Sequence, residues 1–243
     1  MSGSLKHSNQ NRTFSAIVLC GGLGSRLGEL TRDTPKTLLD VAGRPFIFYV
    51  LDQIAASGIK DIILAVGFHG EKVESIVGNF WRGATIRYSY EFKKLGTGGA
   101  IKLALINFNL NETIVVNGDT LLVEDYSRLF IKCINLNLDC GMFVKKMQES
   151  QRFGRVILDS AQRIINFEEK KASGAGYINT GIYYLKKVIF VNTPESFSFE
   201  DGILKNIVHE SFILGLETNN YFIDMGVPED LQRANSDLNN IKI

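Results

Sequence analysis

Cysteine is scarce in this chain of 243 residues: Cys20, Cys133 and Cys140 are the only three. They form no C-x-x-C pair and have no histidine at metal-ligand spacing, so nothing in them marks a zinc site. An odd, sparse set suits a reducing compartment, and Cys20, at the end of an apolar run, is expected to be a core thiol. Histidine is equally rare. His7, His69 and His209 sit in none of the motifs below, which leaves no basis for Ser-His-Asp or Cys-His chemistry. No apolar stretch approaches the roughly 20 residues of a membrane-spanning helix, and residues 1–12 are polar, without the apolar core of a secretion signal. The expectation is a soluble, cytoplasmic protein with a mobile tail at 1–12. Neither sign of charge prevails: 27 Lys and Arg against 26 Asp and Glu give a net charge of +1, so there is no global attraction to nucleic acid or an anionic membrane. Any anion must be held locally.

What is abundant is apolar material, 45% hydrophobic residues against 22% charged, the usage of a packed globular protein. With no Pro-rich linker, low-complexity block or internal repeat, residues 13–243 are expected to form one domain; a single sequence leaves a homo-oligomer open. The run FSAIVLC at 14–20 is apolar on both sides and stopped by two glycines, as in a strand buried on both faces. A helical stripe follows at 46–54, opened by Pro45 and closed near Gly58. Next come a strand at 61–66, a helix at 71–77, a strand at 85–90, a helix at 99–105 and a strand at 113–116. Strands alternating with helices imply crossovers on a mainly parallel sheet. Beyond 120, strand-like pieces at 140–145, 155–158 and 177–185 are closely spaced, with a helix at 201–210. This half reads as more antiparallel and as the second side of a cleft. The fold class is α/β, a three-layer Rossmann-like arrangement with a mainly parallel mixed central sheet and a smaller antiparallel part.

The strongest local signal is Leu19-Cys20-Gly21-Gly22-Leu23-Gly24-Ser25-Arg26-Leu27, directly after the first strand. Glycines let backbone N–H groups approach a phosphate chain closely, and Arg26 adds a charged fork for its oxygens. The pattern is neither G-x-G-x-x-G nor the P-loop, which argues against a dinucleotide dehydrogenase and a P-loop ATPase. Lys36, held behind Pro35, can present a compact positive charge to the same phosphates. Asn117-Gly118-Asp119-Thr120 ends a strand, where α/β sheets place ligand groups, and Asp119 there can hold Mg²⁺ against phosphate oxygens. Asp224, at the end of a second short apolar run, offers the other carboxylate. Taken singly, the glycines also serve a turn, Lys36 a solvated surface, Asp119 a turn and Asp224 a helix cap.

Together these patterns resemble the sugar-phosphate nucleotidyltransferases, the nucleotide-sugar pyrophosphorylases, across 15–235. The resemblance implies that family's fold, Mg²⁺ as cofactor, and a nucleoside triphosphate and a sugar 1-phosphate as partners. It implies that Leu19, Gly21, Gly22, Gly24, Ser25 and Arg26 bind the nucleotide, and that Arg26, Lys36 and Lys170 carry the reaction. Glu91, Gly96, Thr97 and Gly98 match the segment bordering the nucleobase, and Asn117 and Gly118 belong to the same nucleotide site. Asp119 and Asp224 match the metal pair. On the sugar side, Glu169 and Lys170 match the family's E-K pair, and Asn179 and Gly181 its N-T-G strand. Lys171 stands where the family usually has proline, and 168–171 also reads as a solvated charge run. The runs around Glu91, Asn117, 197–200 and Asp224 imply GTP and a heptose 1-phosphate. A hexose or N-acetylmuramate 1-phosphate with GTP or UTP is the enzymatic alternative, and a non-catalytic nucleotide-sugar sensor is the alternative of another class.

Overall fold

Ile17 and Val18 are adjacent, yet they belong to different hydrophobic cores, because successive side chains of a strand point to opposite faces. Their strand, Ser15–Leu19, runs parallel to Asp61–Val66 on one side and to Glu112–Asn117 on the other. In this computed structural model, residues 14–22, 25–67, 69–150, 153–168 and 174–240 are described, without the side chains of Ser25 and Arg26. The expected tail at 1–12 and the site residues Gly24, Glu169 and Lys170 lie outside the described residues.

Among the described residues the main sheet has ten strands. Ala84–Tyr90 continues its parallel part, and Phe80–Trp81 closes that edge. On the other side of Glu112–Asn117 comes the long strand Gly176–Lys186, then Cys140–Met147, Ile213–Thr218, Arg163–Glu168 and Arg155–Leu158. The expected antiparallel half is therefore an extension of the same sheet. Its pairings are antiparallel except that of Ile213–Thr218 with Cys140–Met147.

Helices cover both faces. Ile47–Ala56, Gly70–Val77, Ser127–Asn135 and Pro228–Leu238 pack with Val18, Ile62 and Leu64, while Gly96–Asn107 packs with Ile17, Ile63 and Val115. The helix expected at 99–105 begins at Gly96, and the one expected at 201–210 is instead a π turn, Glu200–Leu204, followed by a short α turn, Lys205–Ile207. Gly202 lies in that turn against the Phe197 ring, where a Cβ would come within 2.8 Å of ring carbon. All three cysteines are buried free thiols, Cys20 as expected. Among the described residues no helix is long and apolar enough to cross a membrane.

Candidate functional site

The first strand delivers the chain to Cys20, whose thiol is pushed up to about 12 by burial, with the nearby Asp119 charge adding to the effect. It is inert as a nucleophile, and the glycines after it are the exposed chemistry. Gly21 has no room for a side chain, since a Cβ would come within 2.6 Å of Glu91 Oε1. A Cβ on Gly22 would meet nothing within 4 Å, and the residue is exposed. Ser25 begins the 3₁₀ segment Ser25–Thr31.

The two aspartates meet through strand register. After Asn117, the turn at Gly118 and Asp119 leads into Thr120–Leu122, which pairs antiparallel with Phe222–Asp224. The Met225 N–H donates to Asp119 O at 3.0 Å and locks the two ends together. Into this corner Pro35 sends the short 3₁₀ turn Lys36–Leu38. Lys36 is only 7% exposed. Its Nζ lies 2.5 Å from Asp119 Oδ2 and 3.9 Å from Asp224 Oδ1. A buried ammonium persists only when opposite charge compensates its lost hydration, and here two carboxylates share that role. The arrangement marks a place built to hold positive charge. Among the described residues no group of three or more His, Cys, Asp or Glu could cage a metal alone. Two carboxylates with open sides are nonetheless the usual protein share for Mg²⁺, which takes its other ligands from phosphate and water.

Beside this corner is a cavity of about 410 Å³, whose wall includes Asn117, Asp224, Asn179, Gly181 and Glu200. Gly181 sits at φ 77°, in the left-handed region, and a Cβ there would come within 2.5 Å of Asn117 Nδ2. The pairing of Gly176–Lys186 with Cys140–Met147 shifts register between Asn179 and Tyr183, an irregularity that re-aims the strand at the cavity. Asn179 Oδ1 accepts from the Gly181 N–H at 2.9 Å, and its Nδ2 donates to the Tyr183 hydroxyl at 2.7 Å and to Glu200 Oε1 at 3.3 Å. Burial first, and the Glu200 charge second, hold the Tyr183 hydroxyl well above its ordinary range, so it stays protonated and donates to Glu200.

On the opposite side of the glycine turn, Glu91 Oε2 accepts from the Leu95 N–H at 3.2 Å. Burial pushes its carboxyl up, partly offset by that hydrogen bond and by Lys94. The glycines that follow face the chain at 195–199. A Cβ on Gly98 would come within 2.2 Å of the Phe197 ring, and one on Gly96 within 2.5 Å of Phe197 O. The Gly98 N–H already donates to Phe197 O at 3.0 Å, and Thr97 Oγ1 accepts from the Phe199 N–H at 2.8 Å. Sequence reasoning singled out these glycines and Thr97 but missed Glu200 and Tyr183. A lone glutamate in F-S-F-E carries no local signal beyond its place in that run.

Residues 15–241 match the model of the family described as nucleotidyl transferase. The chain is 36% identical over 227 residues to a D-glycero-alpha-D-manno-heptose 1-phosphate guanylyltransferase of Aneurinibacillus thermoaerophilus, covering 93% of this chain and 98% of that protein. It is 40% identical over 219 residues to a protein of the same name from Campylobacter jejuni, covering 89% and 96% respectively. The crystal structure of HddC from Yersinia pseudotuberculosis complexed with GMP-PN aligns with a TM-score of 0.82 at 30% identity, over 93% of this chain and 100% of that one.

Proposed function

This chain belongs to the nucleotidyl transferase family, and on that premise we propose that it transfers a guanylyl group from GTP to D-glycero-alpha-D-manno-heptose 1-phosphate, giving GDP-heptose and pyrophosphate. The observation that carries the reading is the convergence of Lys36, Asp119 and Asp224 beside a cavity of sugar size. Residues 13–243 act as one catalytic domain. The sugar is taken from the two guanylyltransferase relatives, which match nearly end to end.

The reaction needs no protein nucleophile. A phosphate oxygen of the sugar 1-phosphate attacks the α-phosphorus in line, and pyrophosphate departs with the bonding electrons. The difficulty is that two anions must be brought together, so catalysis is positioning plus charge neutralisation. Gly21, Gly22, Gly24 and Ser25 offer the triphosphate a close backbone approach, Arg26 and Lys36 neutralise it, and Lys170 takes the sugar phosphate. Asp119 and Asp224 would hold Mg²⁺, which supplies Lewis-acid neutralisation of phosphate oxygens. Leu19, Asn117 and Gly118 shape the floor of the nucleotide site. Asn179 and Gly181 line the sugar side, with Glu169 beside them.

Glu91 supports the choice of GTP. Guanine presents two adjacent donors, N1–H and N2–H, which suit a two-oxygen acceptor, whereas uracil presents a donor between two acceptors. The test is pyrophosphate release from four triphosphates against a panel of sugar 1-phosphates, with Mg²⁺ or with EDTA. GTP with the heptose 1-phosphate is expected to react fastest and only with the metal. A preference for UTP or for a hexose would overturn the substrate assignment, and no release from any pair would favour a sensor.

A further inference from the structure

We propose that Glu200 reads the hydroxyl groups of the sugar, and that Thr97 positions it from the helix bordering the nucleotide; the inference rests on the sugar 1-phosphate reading above. Glu200 lines the 410 Å³ cavity shared with Asp224 and Asn117. Its two side-chain partners are neutral: Asn179 Nδ2 at 3.3 Å and the Tyr183 hydroxyl at 3.4 Å. Both bonds are long for a carboxylate, whose charge-assisted bonds run about 2.7–2.9 Å, so its acceptor capacity is unfilled. Among the described residues no lysine, arginine or histidine pairs with it; the neighbouring Lys205 pairs with Asp201. A carboxylate without a counter-ion repels phosphate and accepts well from neutral hydroxyls. The sugar phosphate must therefore lie away from Glu200, with the hydroxyl-bearing end toward it.

The position of Glu200 is set from behind. It opens the π turn Glu200–Leu204, a form of backbone frequent at functional sites. The preceding Phe199 is buried, stacks on Phe190 and meets Tyr183 edge-on. Its N–H is taken by Thr97 Oγ1 at 2.8 Å, and Phe197 is wedged against Gly96, Gly98 and Gly202. Thr97 lies on Gly96–Asn107, the helix that starts immediately after the Leu95 N–H held by Glu91. The chain from Glu91 through Thr97 to Glu200 thus ties the two substrate sides together, and Thr97 serves the sugar although it stands on the nucleotide helix.

The experiment is steady-state kinetics on the full chain, varying heptose 1-phosphate at saturating GTP and GTP at saturating sugar phosphate. Glu200→Gln is expected to raise the sugar-phosphate KM by about ten- to a hundredfold while the KM for GTP moves by less than about twofold. Thr97→Val should shift the sugar KM in the same direction by a smaller factor, and Thr97→Ser, which keeps the acceptor, should restore it. The Thr97 pair reads the same contact without touching the carboxylate, so it decides the matter if Glu200→Gln folds poorly. A Glu200→Gln enzyme with unchanged sugar KM, or with both KM values raised equally, overturns the proposal while leaving the transferase reading intact. A wild-type chain that releases no pyrophosphate from any pair overturns both.

Discussion

Asp224 stands opposite Thr120 across a two-stranded antiparallel pair, and this register brings its carboxylate to the same ammonium as that of Asp119. A slip of one residue would turn Asp224 to the other face of the ribbon, so the pair is fixed by backbone geometry rather than by side-chain choice. Asp119→Asn and Asp224→Asn keep shape and remove charge. Each is expected to lower Mg²⁺-dependent pyrophosphate release by roughly 10²- to 10³-fold, and EDTA should abolish the wild-type rate until Mg²⁺ is restored. Full turnover by either variant would remove the metal role from that residue.

Lys36 supplies the positive charge between these carboxylates when no other cation is present. With Lys36→Met, the aspartates lose their counter-ion and should accept a divalent ion more readily. Mn²⁺ binding to the nucleotide-free variant, followed by electron paramagnetic resonance, is expected to tighten by roughly five- to a thousandfold, the range spanned by one close charge interaction between full hydration and a protein surface. Pyrophosphate release should fall at the same time, because the triphosphate loses a cation. Unchanged Mn²⁺ affinity would mean that the ammonium does not compete for the metal position.

Two glycines separate packing from ligand approach. Gly98→Ala would drive a methyl group into the Phe197 ring, at 2.2 Å, and overpacking of this kind costs about 1–3 kcal/mol. Its Tm should drop by several degrees, at about 2–4 °C per kcal/mol for a chain of this size. Gly22→Ala adds a methyl group to open space and should leave Tm unchanged. Its expected defect is a raised KM for GTP, because the added carbon stands where the triphosphate must approach. Thermal unfolding and GTP kinetics on both variants check the contrast, and a Gly22→Ala enzyme with normal GTP kinetics would take the phosphate chain away from that glycine.

What the sequence revealed depended on how local each signal was. Lys36, Asp119 and Asp224 each lie in a short pattern with a recognisable neighbour, so their types and order could be read, and only the strand register was needed to join them. Gly96 and Gly98 matched the segment bordering the nucleobase, but nothing local named what they pack against, which is the distant backbone and ring of Phe197. Glu200 gave no periodic signal, because its position comes from a π turn and from the hydrogen bond that the preceding Phe199 N–H donates to Thr97, far away in the chain. The Arg163–Glu168 strand went unread for a different reason. Ile164 is buried beside Ile165 at 42% exposure, so the apolar residues do not alternate.

Glu91 yields the pH dependence. Burial holds its carboxyl above the ordinary value, partly offset by the Leu95 N–H and Lys94, so folding shifts its titration to higher pH than in the unfolded chain. Its contribution to stability is therefore present below the ordinary carboxylate value and lost as pH rises through the raised one. Guanine binding has the opposite sign, since N1–H and N2–H need the ionised carboxylate as acceptor. The KM for GTP should rise as pH falls through the raised value and stay flat above it. Glu91→Gln removes the titration and replaces one acceptor with a donor that clashes with guanine but suits the O4 and N3–H of uracil. The ratio of kcat/KM for GTP over UTP is then expected to fall by about ten- to a hundredfold, the worth of one bidentate base contact. A Glu91→Gln enzyme that kept both the wild-type pH profile and the preference for GTP would place the base elsewhere in the cleft.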